Sequence, residues 1–229
     1  MRKVLFFALL LAEGGGMIAA HHTMCGNLAI DRTFAVVNAG NAYFDTGFVL
    51  DSGKVLEVTF KRTVANYTGD VLVGHQGSGT QPDDHDFRLF FYSGYSGSMF
   101  GDHGSGRLCF RFSDIGADDW HTVVFPSGGK MEIDGTPWGK DDTSIVDPGL
   151  KPYDMSETVS SDTLKVFAKS QNSASQRGAI RHIGVRDFAS GRLLLDLWPD
   201  ERGGLVDVVS RRLILPSKGE VSVVDWRTI

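Results

Sequence analysis

The feature that most constrains this chain is a set of short alternating runs around one turn, between Trp120 and Gly139. In Trp120-His121-Thr122-Val123-Val124-Phe125 the β-forming residues alternate sides with period two, and Met131 and Ile133 point opposite to Glu132 and Asp134. Asp134-Gly135 then separates this run from Thr136-Pro137-Trp138. Asp-Gly tolerates the positive φ that a type I′ hairpin turn demands at both central positions. A two-residue turn there sets Trp138 across from Met131 and Pro137 across from Glu132. Proline lacks a ladder donor, so the last run is expected at a sheet edge or strand end.

The same alternation recurs along the chain. In Val55 to Lys61, Leu56, Val58 and Phe60 oppose Glu57, Thr59 and Lys61, one face for a core and one for water. Further strands are expected at Tyr43 to Phe44, Val71 to Gly74, Phe87 to Tyr92, Arg107 to Phe112, Leu164 to Ala168, Ala179 to Arg186, Leu193 to Trp198, Leu213 to Leu215 and Val221 to Trp226. No amphipathic helix and no internal repeat interrupts them. Gly77 to Asp86, Ser93 to Gly106 and Lys140 to Asp162 read as long loops, the usual place for binding residues. One-sided strands must close their apolar faces on each other, so the fold class is all-β, a two-sheet antiparallel β-sandwich. With 229 residues, 41% of them hydrophobic, the chain can form one such domain. A formal charge of −5 offers no basic footprint for phosphate backbones and argues against a nucleic-acid partner.

Arg2 and Lys3, the apolar run Val4 to Ala12 and the small residues up to Ala20 follow the order of a secretory signal peptide. The run is too short to span a bilayer, and no other segment reads as transmembrane. Residues 1–20 are therefore expected to be a signal peptide, 21–33 a lead-in and 34–229 the domain. Export, to the medium or the cell surface, would permit a disulfide between Cys25 and Cys109, although spacing cannot show that they meet.

Several motifs stand in a telling order. Phe34 to Gly47 ends in the aromatic-Asp-Thr-Gly of Phe44-Asp45-Thr46-Gly47. Trp120-His121-Thr122-Val123 precedes Ile133-Asp134-Gly135. Ile180 to Arg186, Leu193 to Pro199 and Gly204 to Val209 then lead to a closing strand. In this order, over roughly Phe34 to Trp226, the chain resembles the concanavalin A-like (LamG-type) jelly-roll family of bacterial secreted, surface and phage-associated proteins. It departs from that pattern at Asp200-Glu201-Arg202 and in the long Lys140 to Asp162 insertion. The resemblance implies a secreted, non-catalytic binding module with glycan as ligand. An adhesion domain that binds cell-surface proteins and a glycoside hydrolase with a rearranged site are the alternatives.

Retaining glucanases of this fold carry Glu-x-Asp-x-x-Glu on one strand. Here Glu132-Ile133-Asp134 is followed by Gly135-Thr136-Pro137, so the second Glu is missing and Asp134 serves the turn. Asp83, Asp84 and Asp86 place three carboxylates in one loop, the ligand type calcium prefers, and lectins of the resembling family use loop calcium. Sugar rings stack on flat aromatic faces, which makes Tyr92, Tyr95, Tyr153 and Trp138 the candidate ligand residues, with Trp138 also suited to packing across the hairpin. Trp120, Trp198 and Trp226 fall in expected strands and read as packing residues. Gly101-Asp102-His103-Gly104-Ser105-Gly106 holds the residue types of a hydrolytic triad compressed into what reads as a turn, where they cannot align. His75, His85, His103, His121 and His182 show no metal-ligand spacing. Asn66-Tyr67-Thr68 is a glycosylation sequon by pattern.

Overall fold

Phe60, Leu56 and Val58 are wholly buried while Glu57, Thr59 and Lys61 between them are not, so the expected one-sided strand is realised. The computed structural model describes residues 23–24, 30–51, 53–63, 68–75, 87–92, 98–103, 106–111, 119–125, 131–138, 162–168 and 177–229. The strands among them are β1 (Thr23–Met24), β2 (Phe34–Ala39), β3 (Phe44–Asp45), β4 (Lys54–Lys61), β5 (Thr68–His75), β6 (Phe87–Tyr92), β7 (Ser98–His103), β8 (Gly106–Arg111), β9 (His121–Phe125), β10 (Met131–Ile133), β11 (Thr136–Trp138), β12 (Lys165–Val166), β13 (Arg177–Asp187), β14 (Leu193–Asp200), β15 (Gly204–Asp207), β16 (Arg212–Ile214) and β17 (Ser222–Asp225).

These strands form two antiparallel sheets. The larger runs β1-β16-β15-β14-β13-β4-β9-β10-β11, with β2 and β17 branching from β13, and the smaller runs β3-β12-β5-β6-β7-β8. Leu56, Val58, Phe60, Val123, Phe125, Ile183 and Val185 of the larger sheet share one core with Phe44, Leu72, Phe87, Leu89 and Val166 of the smaller. The Phe87 ring meets Phe125 edge-on, 5.3 Å between centroids, directly across the two layers. Each such side chain contributes about 2 kcal/mol through burial, which is why the alternation in sequence fixes the layer order. No described helix is long and apolar enough to cross a membrane.

The hairpin forms in the expected register, with Met131 opposite Trp138, Glu132 opposite Pro137 and Ile133 opposite Thr136. Asp134 and Gly135 have φ of 51° and 78°, the left-handed pair of a type I′ turn. Strand β11 ends the strand order, which accommodates Pro137. The aromatic-Asp-Thr-Gly motif does more than end a strand. Ala39 closes β2 in the larger sheet, whereas Phe44 and Asp45 already belong to the smaller one, so the chain crosses between layers just before the motif, which opens on the first strand of the second sheet. Asn38 organises that crossing: its Nδ2 donates to Ala42 O at 2.6 Å and its Oδ1 accepts from the Gly40 and Ala42 amides.

Three expectations are corrected. Ser93 to Gly106 is not one loop, because Ser98–His103 pairs with both β6 and β8. Asp102 and His103 thus lie on a strand, opposite Arg107 and Gly106, rather than in a turn. Gly204–Asp207 is a strand, short enough that no alternation announced it. Trp226 opens a 3-10 turn after β17, and Trp120 precedes β9, its indole Nε1 donating to Trp226 O at 3.1 Å.

Strand β13 is the spine of the larger sheet. Along one edge it pairs with β4 from Ala179 to Asp187; along the other it pairs first with β2, up to Ile180, and then with β14, from Ile183. The sheet therefore forks at Arg181 and His182. The β4 register slips at the same point, between Ile180 and His182, a bulge that re-aims the side chains there.

Candidate functional site

On the face of the larger sheet opposite the core, register places Glu57 of β4, Gly184 of β13 and Asp196 of β14 in one row. His182, one pleat away on β13, lays its ring across Gly184. A Cβ at position 184 would stand 3.1 Å from the ring's Cε1, closer than ordinary contact, so glycine makes room for the imidazole. The ring spans the row: Nδ1 lies 3.2 Å from Glu57 Oε1 and Nε2 lies 2.8 Å from Asp196 Oδ1. Carboxylate oxygens accept and do not donate, so a ring that donates to both is an imidazolium.

The electrostatics agree with that geometry. Burial on its own pushes the His182 pKa down, but hydrogen bonds to Asp196 and Glu57, together with their charges, outweigh it and hold the pKa above the ordinary imidazole value. The His182 hydrogen bond is the main influence holding Glu57 below the usual carboxylate range. Asp196 is also held low: burial opposes ionisation, and the bond from His182, its charge and the Trp198 indole overcome it. Trp198 Nε1 donates to Asp196 Oδ1 at 3.0 Å, and its ring stacks on His182 at 4.4 Å between centroids. The Arg32 guanidinium, just before β2, sits 4.6 Å from the same indole centroid. His182 and Arg32 thus both pack against the Trp198 ring. Behind the cluster, Asp207 accepts from the Asp196 amide at 3.2 Å and from the amides of Val209 and Ser210, fixing β14 against the β15 turn.

A second histidine pair lies in the hairpin. Asp134 Oδ2 is 2.7 Å from His121 Nδ1, and Asp134 Oδ1 accepts from the Thr122 amide at 2.8 Å. His121 is only 3% exposed, so Asp134 is a buried histidine's anchor and a turn former.

Of the residues singled out in the sequence, Tyr92 ends β6 opposite Thr68 and Ser98, and Trp138 ends β11 opposite Met131. They belong to different sheets, so the strand order does not bring them together. Cys109 lies on β8 opposite Phe100. Tyr95, Tyr153, Asp83, Asp84, Asp86 and Cys25 lie outside the described residues, as do most of the three expected loops. Among the described residues no group of three or more His, Cys, Asp or Glu is placed to hold a metal, and in the Glu57-His182-Asp196 row the imidazole itself fills the space between the carboxylates. The row was missed from sequence because its members come from three strands; the signal available was Asp196 breaking the apolar run Leu193 to Trp198.

Comparison with known proteins gives a likeness of fold. No family's sequence pattern matches the chain, and no curated protein matches it in sequence. Among solved structures, a protein from Bacteroides ovatus ATCC 8483, described as a "putative carbohydrate binding protein", superposes with a TM-score of 0.50 at 13% identity. The match covers 86% of this chain and 60% of that protein. At this identity what the two share is the β-sandwich.

Proposed function

We propose that this chain is an exported, non-catalytic carbohydrate-binding module of the concanavalin A-like (LamG-type) kind. The observation that carries the reading is the shared sandwich over 86% of the chain with a protein described as carbohydrate-binding. The charged row supports its non-catalytic part. Glu132 and Glu57 lie on one face, two strands apart with Val124 between them, about 9.6 Å at the usual strand spacing. Such a pair has the wider spacing of an inverting hydrolase. His182 holds Glu57 below the usual carboxylate range, however, so Glu57 is unsuited to be the proton donor of such a pair. His182 cannot act as a base while both its nitrogens donate, and the Trp198 ring is already engaged by His182 and Arg32. Ligand contacts therefore fall to loop aromatics, Tyr95 and Tyr153 first, with calcium held by Asp83, Asp84 and Asp86 as an accessory.

A glycan array run with calcium and with a chelator tests this. Binding to at least one glycan class, lost in Tyr95→Ala or Tyr153→Ala and kept in Glu132→Gln, is the expected result. No bound glycan under either condition would sink the reading, and glycan cleavage abolished by Glu132→Gln would replace it with a hydrolase.

A further inference from the structure

Glu57, His182 and Asp196 form a built cluster that the proposed ligand loops leave unused. It stands where the larger sheet divides, at the two residues of β13 that face neither β2 nor β14 in the ladder. Backbone pairing on that edge is interrupted there, and the His182 side chain instead bridges the strands on either side of β13.

We propose that His182 is a proton-controlled latch on the forked sheet. Protonated, its ring fastens β4 to β14 across β13; neutral, it keeps a donor for only one carboxylate and lets the other go. Three independent details favour a latch over a passive packing histidine. Gly184 clears the space in which the ring lies between its partners. The bulge at Arg181 turns His182 onto that row. Trp198 clamps the ring face while bonding the same Asp196 oxygen, so the imidazole has one defined pose.

The charged groups around it have defined positions. Glu57 faces the ring from β4 and Asp196 from β14; Arg186, on β13 itself, favours the Glu57 carboxylate, and Arg32 approaches from just before β2 over Trp198. Arg181 is turned to Trp226, its guanidinium 3.9 Å from that ring, and so stays apart from the latch. The sign follows from linkage. A histidine whose folded pKa is raised contributes stability that is fully present below its unfolded value, about 6.5, and is lost as pH rises through the folded pKa. The latch is closed in mild acid and opens as pH rises through the raised His182 titration.

The test follows the ring resonances of the seven histidines and the thermal midpoint from pH 5 to pH 9, with His182 assigned by its loss in His182→Gln. His182 should titrate above about 6.5, and Glu57→Gln should move that midpoint down. The thermal midpoint should fall as pH rises through the titration, and His182→Gln should lack that fall. Titration of His182 at or below the ordinary value, or an undiminished alkaline fall in His182→Gln, would overturn the proposal. Should His182→Gln not fold, the one histidine titration that Glu57→Gln and Asp196→Asn both move down identifies His182, and the absence of any such resonance counts against the latch. Neither readout involves a glycan, so a failure here is separate from a failure of the proposed function.

Discussion

Lys165 in the smaller sheet and His182 in the larger each sit between two carboxylates, and the two cages are made of different material. Lys165 is 2% exposed; its ammonium donates to Asp162 Oδ1 at 2.9 Å and Thr163 O at 3.0 Å, and lies 3.2 Å from Asp45 Oδ2. Asp45 is tied in further by Thr163 Oγ1 at 2.6 Å and by the Gly47 amide at 3.0 Å, with Gly47 at a φ of 68°. Two of the three partners lie within three residues of Lys165, so this cage is half local. The His182 cage has no local part: Glu57 and Asp196 come from strands on either side. The difference teaches what each cage can do. A lysine type carries its charge far above neutral pH and makes a fixed brace, whereas a histidine type changes charge near neutrality and makes an adjustable one.

The largest expected effect separates brace from ornament. Lys165→Met leaves Asp45 and Asp162 facing each other without their cation. Breaking a buried pair costs about 3–5 kcal/mol, and since both carboxylates are about a third exposed the loss should be near the lower end. Urea unfolding measures it, and a loss below about 1 kcal/mol would erase the distinction between this cage and a surface ion pair. Asp196→Asn comes next, at about 2 kcal/mol for a hydrogen bond to a charged group. It should also lower the His182 titration, an effect Lys165→Met should not have.

Gly184→Ala is smaller and more pointed. The added methyl must displace the imidazole from a 3.1 Å contact, and an off-rotamer ring costs about 1 kcal/mol. A reduced His182 pKa with near-native stability would show that glycine serves the pose of the ring rather than the backbone. The acid limb should not discriminate between the cages. Asp45 is held below the usual range, its burial overcome by bonds from Thr163 and the Gly47 amide and by Lys165, and Glu57 and Asp196 are held low as well. Stability from lowered carboxylates is present above their unfolded values, about 4, and lost as pH falls through the folded ones. A thermal midpoint that drops in acid for both Lys165→Met and His182→Gln is expected; an acid limb missing from either would mean that one cage carries it all.

Much of this architecture was readable beforehand. Leu56, Val58 and Phe60 announced their strand through period-two burial, and Asp134-Gly135 announced its turn through the positive φ that few residue pairs accept. Both are local physics. The edge position of β11 was implicit in Pro137, which has no amide to give. Where the alternation was too short to register, as in Gly204–Asp207, or lay in a Gly-rich stretch, as in Ser98–His103, the strand was missed because its partners supply what its own sequence lacks.

The sequence by itself therefore determined the class of fold and the Asp134-Gly135 hairpin, since each depends on residues a few positions apart. Only the tertiary structure decided which charges meet. Glu57, His182 and Asp196 lie 125 and 14 residues apart along the chain, and a strand's register, set by apolar contacts on the opposite face, brings their polar sides together. Side-chain period tells which face a residue takes; the partner it finds on that face depends on strand order, which no local pattern encodes.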